Sequence, residues 1–161
     1  MNKVVTVKNI KIGEGIPKIA IPISDSDYAG IKKSVNLIMN SPCDLIEWRG
    51  DFYNDVTDPE VRIKPLTLFR NQLWNLPVLF TIRTDVEGGM MEIDTKDYMD
   101  LLLAVIDSGL IDIVDVELSR GEKTVRTIVQ AAHDAGVKVM GSRHNFKNTP
   151  DKDVIIRSLV K

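Results

Sequence analysis

Cysteine is almost missing from this chain: its 161 residues include one, Cys43. A single thiol cannot close an internal disulfide, and without a second cysteine or a nearby histidine it has no metal-site spacing. Cys43 therefore reads as a packing residue, and the redox habit is that of a reducing compartment. A basic excess is missing too. Lys and Arg number 21 against 23 Asp and Glu, for a formal net charge of -2 and a pI near 5.7. This is not the balance that phosphate-backbone binding requires, so nucleic acid is not an expected partner, whereas local arginines leave small acidic molecules open. No apolar run is long enough for a signal-peptide core or a bilayer span, so no membrane contact is expected and a cytoplasmic location is. Neither GxGxxG nor GxxxxGK[ST] occurs, which removes the usual marks of a dinucleotide or P-loop site. Low-complexity segments and linkers are absent as well, and residues 1–161 read as a single domain.

Hydrophobic residues make up 43% of the chain, enough for a sizeable core. VVTVKNIKIGEG alternates apolar and polar residues about an Asn and predicts an N-terminal hairpin. Five short apolar runs follow: PKIAIPI (17–23), CDLIEWR (43–49), PVLFTIR (77–83), LIDIVDVEL (110–118) and VKVMGSRH (137–144). Helical patterns separate them, with a start signal at Thr95 and a stop at Gly136. Pro65, inside the second helical pattern, predicts a break or kink. Strands alternating with helices at this spacing mean βα units and a parallel sheet.

Side-chain phase within the strands carries the functional signal. Leu45, Glu47 and Arg49 share one face, as do Leu79, Thr81 and Arg83; Ile113, Asp115 and Glu117; and Met140, Ser142 and His144. Each face turns polar toward the C-terminal end of its strand, which is how a (βα)8 barrel builds a site at its mouth. Taken alone, His144 is better explained by a hydrogen-bonded scaffold residue and Glu87 by a solvated acid before the Gly88–Gly89 turn, while an internal ion-pair network is the lesser alternative for Glu47, Arg49 and Arg83. His133 ends a helical pattern and reads as a dipole-complementing structural residue. Trp48 and Trp74 are both expected in the core.

EWRGDFY, TIRTDVEGG, DVEL and GSRHNF, in this order and spacing, resemble type I 3-dehydroquinate dehydratase of the shikimate pathway, and the resemblance extends over all 161 residues. It implies a (βα)8 TIM barrel, usually dimeric, that uses no metal or cofactor. The implied reaction converts 3-dehydroquinate to 3-dehydroshikimate through a lysine imine, with a histidine moving protons. Carried over by position, His144 is the proton-transfer histidine and Glu87 the carboxylate that orients it. Glu47, Arg49 and Arg83 are the substrate-binding residues, while Asp115 and Glu117 are expected to give structural support.

The same resemblance places the imine lysine on a sixth strand, beyond Lys161, together with the last three strands. Lys138 opens the fifth strand far from its catalytic end and Lys147 lies in a loop, so neither matches the lysine motif. The expected architecture is an incomplete barrel of five βα units preceded by a hairpin, exposing an apolar interior face that favours a homodimer. Lys161 itself fits a protease cut, a deliberate truncation or a short gene equally well. Two functions follow. One is the N-terminal portion of a dehydratase, inactive alone for want of the lysine. The other is a non-catalytic half-barrel binding module that keeps an anion at Arg49 and Arg83. An aldolase-type Schiff-base lyase on the same barrel fits the motifs less well.

Overall fold

The computed structural model describes residues 4–159. The chain opens with an antiparallel hairpin, β1 (Val5–Val7) and β2 (Ile10–Ile12). Five βα units follow: β3 (Ala20–Ile23) with α1 (Tyr28–Ile38), β4 (Leu45–Arg49) with α2 (Pro59–Gln72), β5 (Val78–Thr81) with α3 (Thr95–Asp107), β6 (Ile113–Glu117) with α4 (Glu122–Asp134), and β7 (Lys138–Ser142) with α5 (Lys152–Leu159). The five strands of the units form one parallel sheet in the order β3-β4-β5-β6-β7. Sequential order with a helix after each strand is the wall of a (βα)8 barrel, here with five of its strands. The expected hairpin and five units are all present.

Local chemistry explains the helix boundaries. Asp27, Asp58 and Asp94 each place a carboxylate on a first-turn N–H, at 2.8 Å in every case. Such caps satisfy donors that have no intrahelical partner. The start signal of α3 is thus Asp94, one residue before the expected Thr95, while Gly136 closes α4 at φ 75° as anticipated. Pro65 does not break α2, which runs unbroken through it. The ring removes one backbone hydrogen bond, but Pro65, Leu66, Leu68 and Phe69 are all buried there, and that packing holds the helix together.

The main core lies between the outward strand faces and the helices. Ile46, Trp48, Val78, Phe80, Ile82, Val114 and Val116 pack there against α1 to α4. Trp48 is fully buried and meets Tyr53, Phe69 and Phe80 at ring distances of 5.7, 5.7 and 5.2 Å. Trp74 corrects the sequence expectation, being 73% exposed. Leu73, the C-cap of α2, takes the buried position at the end of the helix, so the ring one residue later lies outside. Cys43 packs half-buried against the same core, and burial raises its thiol above the usual range, as suits a packing residue.

A second, small cluster covers part of the interior face expected to be exposed, while Ala20, Pro22 and Met140 on the edge strands stay exposed. Leu45, Leu79 and Ile113, the first axis-facing residue of each strand, are buried together with Val7 and Ile10 of the hairpin. The hairpin closes the bottom of the barrel wall. Lys8, at its tip, donates to the carbonyls of Trp74 (3.0 Å) and Leu76 (2.7 Å) and lies 3.5 Å from Asp112. Several exposed apolar side chains flank the open edges, among them Ile19 before β3, Met140 on β7, and Val154, Ile155, Ile156 and Leu159 on α5.

Candidate active site

Above the apolar layer the axis-facing residues become polar, as the strand phase predicts. Glu47, near the end of β4, accepts from the Thr81 hydroxyl at 2.8 Å. Arg49, two residues on, turns onto Asp51 and donates twice, from Nε to Oδ1 at 2.8 Å and from Nη2 to Oδ2 at 2.7 Å. That two-point bond raises the guanidinium above its ordinary range, and the face of the group lies 4.8 Å from the Phe52 ring.

Arg83, just beyond β5, is the hub of the site. Its Nη2 donates to Asp115 at 2.5 Å, and its Nη1 donates to Ser142 at 2.9 Å and to Glu117 at 3.3 Å. Its side chain is 10% exposed, against 1% for Asp115 and none for Glu117. A buried cation between two buried carboxylates is the arrangement that keeps such charges tolerable. Glu117 is fully engaged. It also accepts from the Thr84 N–H (2.9 Å) and hydroxyl (2.7 Å) and from Arg120 (3.3 Å). Asp115 is less well served. Burial raises its carboxyl above the usual range, the Ser142 hydroxyl and Arg83 offset this only in part, and Oδ1 has no hydrogen-bond partner among the described residues. Both acids thus support Arg83, as expected, and Glu47 and Arg49 lie close enough to Asp115 to act on it electrostatically.

Glu87 joins this network to His144. The carboxylate is 3% exposed, lies 3.6 Å from Arg83 and accepts from the Ser119 hydroxyl at 2.5 Å. Its other oxygen accepts from the His144 backbone N–H at 2.8 Å and meets the imidazole Nδ1 at 3.0 Å. Reaching this position depends on the glycines after it. A Cβ on Gly89 would fall 1.8 Å from the Arg83 carbonyl oxygen, so only glycine lets the β5 loop fold back so tightly. The His144 side chain is 38% exposed, so with Nδ1 on Glu87 its Nε2 is the nitrogen left for other partners.

Glu87, Arg83, Asp115, Glu117 and His144 are therefore assembled in one network, with Glu47 and Arg49 beside it. His133 lies exposed in the last turn of α4. Lys138 opens β7 and Lys147 lies in the loop after His144, so neither stands at the axis-facing end of a strand. Sequence reasoning missed Asp51, Thr84, Ser119 and Ser142, which complete the hydrogen bonds. Asp51 and Thr84 stood inside the quoted motifs, Asp51 only two residues from its partner Arg49, and strand phase placed Ser142 on the axis face; for Thr84, Ser119 and Ser142 a partner thirty or more residues away leaves no local trace. Among the described residues, no group of three His, Cys, Asp or Glu side chains could hold a metal ion, and no helix is long and apolar enough to cross a membrane.

Comparison with known proteins places this geometry. The family model for type I 3-dehydroquinase matches residues 19–161. The 3-dehydroquinate dehydratase of Clostridium botulinum is 42% identical over 161 residues, which are 100% of this chain and 63% of that protein. That of Escherichia coli O1:K1 is 40% identical over 159 residues, 99% of this chain and 63% of its own length. Among solved structures, the type I 3-dehydroquinate dehydratase of Clostridium difficile with covalent modified comenic acid matches at TM-score 0.93 and 38% identity, covering 97% of this chain and 62% of that one. The 3-dehydroquinate dehydratase of Enterococcus faecalis matches at TM-score 0.89 and 33% identity, covering 95% and 64%. The chain spans about 63% of the length of the curated relatives it matches.

Proposed function

The chain belongs to the type I 3-dehydroquinase family, and from that premise we propose that it carries the proton-transfer part of a 3-dehydroquinate dehydratase site. In this reading the substrate ketone forms an imine with a lysine outside these 161 residues. His144 Nε2 takes a proton from the carbon next to the imine carbon, and the electron pair of that bond moves toward the imine nitrogen. The imidazolium then returns the proton to the departing hydroxyl, which leaves as water. Hydrolysis of the imine frees 3-dehydroshikimate and restores the amine. No metal or cofactor has a part in these steps.

The observation that carries the reading is the pair formed by buried Glu87 and His144. One carboxylate oxygen holds both the backbone N–H and the ring Nδ1, at 2.8 and 3.0 Å. A carboxylate on Nδ1 selects the tautomer whose Nε2 has a free lone pair, which is what a general base needs. Glu47, Arg49 and Arg83 line the same rim as substrate contacts, with donors suited to carboxylate and hydroxyl oxygens. The anion-binding module is the weaker alternative, because it leaves the buried Glu87 carboxylate on His144 without a role. A homodimer and a cytoplasmic location complete the proposal.

Borohydride trapping tests it. With 3-dehydroquinate, the 161-residue chain is expected to give no reduced adduct by mass spectrometry and no dehydroshikimate absorbance. The same chain extended with the remaining segment of the Clostridium botulinum relative is expected to give both. In that extended chain His144→Ala should lower turnover about a hundredfold to ten-thousandfold while the adduct still forms. Turnover by the short chain alone would overturn the assignment of the imine lysine.

A further inference from the structure

Phe146 is a large apolar ring that is 75% exposed, yet it is held in place. One face lies nearly parallel to the His144 imidazole, with ring centroids 6.2 Å apart and planes 12° from each other. The ring also rests on bare backbone. A Cβ on Gly88 would fall 2.4 Å from a Phe146 ring carbon, and Gly88 adopts φ +80° to close the turn after Glu87. The turn that brings Phe146 back to the imidazole is pinned by Asn145, whose side-chain oxygen accepts from the backbone N–H groups of Lys147 (3.0 Å) and Asn148 (3.2 Å). Its side-chain nitrogen donates to the Asn148 side-chain oxygen at 2.9 Å. The β5 and β7 loops therefore touch at two adjacent places, Glu87 on His144 and Gly88 on Phe146.

One hydrogen bond does not fix an imidazole, since the half-exposed ring can rotate about its χ2 torsion and offer its other nitrogen or a carbon to Glu87. A flat ring lying parallel to the imidazole and beside it restricts that rotation, and an aliphatic side chain would do so poorly. We infer that Phe146, wedged between the Gly88 backbone and His144, is a positioning residue that holds the imidazole with Nδ1 on Glu87 and Nε2 free for the proton. The inference rests on the proton-transfer reading of His144, but its first test does not need it.

That test is the nitrogen NMR of labelled histidine in the 161-residue chain at about pH 9, where imidazole is neutral. The unsubstituted chain is expected to show His144 as a single tautomer, protonated on Nδ1. Phe146→Ala should give a mixture, Phe146→Tyr should restore the single tautomer, and Gly88→Ala should resemble Phe146→Ala, because its new Cβ displaces the ring. A single Nδ1–H tautomer in Phe146→Ala would overturn the inference. If Phe146→Ala fails to fold, Phe146→Leu decides: mixed tautomers in a folded protein support the positioning role, and one tautomer refutes it. In the extended chain, Phe146→Ala should lower kcat about tenfold to a hundredfold with little change in KM, and Phe146→Tyr should recover it. Unchanged kcat in Phe146→Ala refutes the role. An extended chain without activity, beside the expected NMR result, would overturn the dehydratase reading and leave the positioning of His144 standing.

Discussion

Glu87 and Arg83 illustrate how much a single buried charge depends on its partners. Removing Arg83 leaves Asp115, 1% exposed, without its cation, and leaves buried Glu117 with Arg120 alone. Arg83→Ala is therefore expected to lower stability by about 3–5 kcal/mol in urea unfolding. Asp115 behaves differently, because burial has already raised its carboxyl, so the charged form is the disfavoured one in the fold. A raised acid contributes its stability below the unfolded pKa and loses it as pH rises through the folded one. Asp115→Asn, which keeps the shape without the charge, should thus gain in melting temperature relative to the unsubstituted chain as pH increases from about 4 to 7. A gain that shrinks over that range would show that Arg83 outweighs the burial.

Among the elements, the hairpin has the least sequence between its strands and one of the larger structural roles. It covers Leu45, Leu79 and Ile113, and its tip is tied down by the Lys8 ammonium on two carbonyls. Burial lowers the Lys8 pKa, with nearby Asp112 working against the shift. Lys8→Met keeps the stem and removes the bonds, and the expected cost is about 1–2 kcal/mol by chemical denaturation, with early loss of amide protection in β1 and β2. Tyr98 of α3 ties helix to sheet in a similar way: its hydroxyl accepts from the Glu117 N–H at 3.0 Å, and burial pushes its own pKa far up. Tyr98→Phe leaves that buried N–H without its acceptor, for an expected loss of about 1–3 kcal/mol.

At the scale of the whole molecule, five parallel strands leave β3 and β7 as edges. An edge strand offers unpaired backbone groups to another chain, and here apolar side chains such as Met140 (40% exposed) stand beside them. Association of the 161-residue chain at micromolar concentration is the expected result in light scattering. Met140→Lys, which adds charge at the β7 edge, should shift the chain toward monomer while changing stability by no more than about 0.5 kcal/mol. Association unaffected by that charge would place the contact elsewhere, with the exposed face of α5 next in line.

Period and phase are local properties, and they determined most of this protein in advance. Alternation over four or five residues assigned Trp48, Phe80 and Val116 to the helix side and Glu47, Arg83 and Asp115 to the axis, because successive side chains on a strand point to opposite faces whatever the rest of the chain does. The order of the motifs, EWR before EGG before RHNF, carried the family. Tertiary structure alone decided who pairs with whom. That Ser119 reaches Glu87, that Leu73 rather than Trp74 is buried and that α2 survives Pro65 all depend on surfaces brought together from distant segments, where burial and hydrogen bonding outweigh local preference. Even Phe146, two residues from His144, gains its role only when Gly88 arrives beneath it from a loop more than fifty residues earlier in the chain.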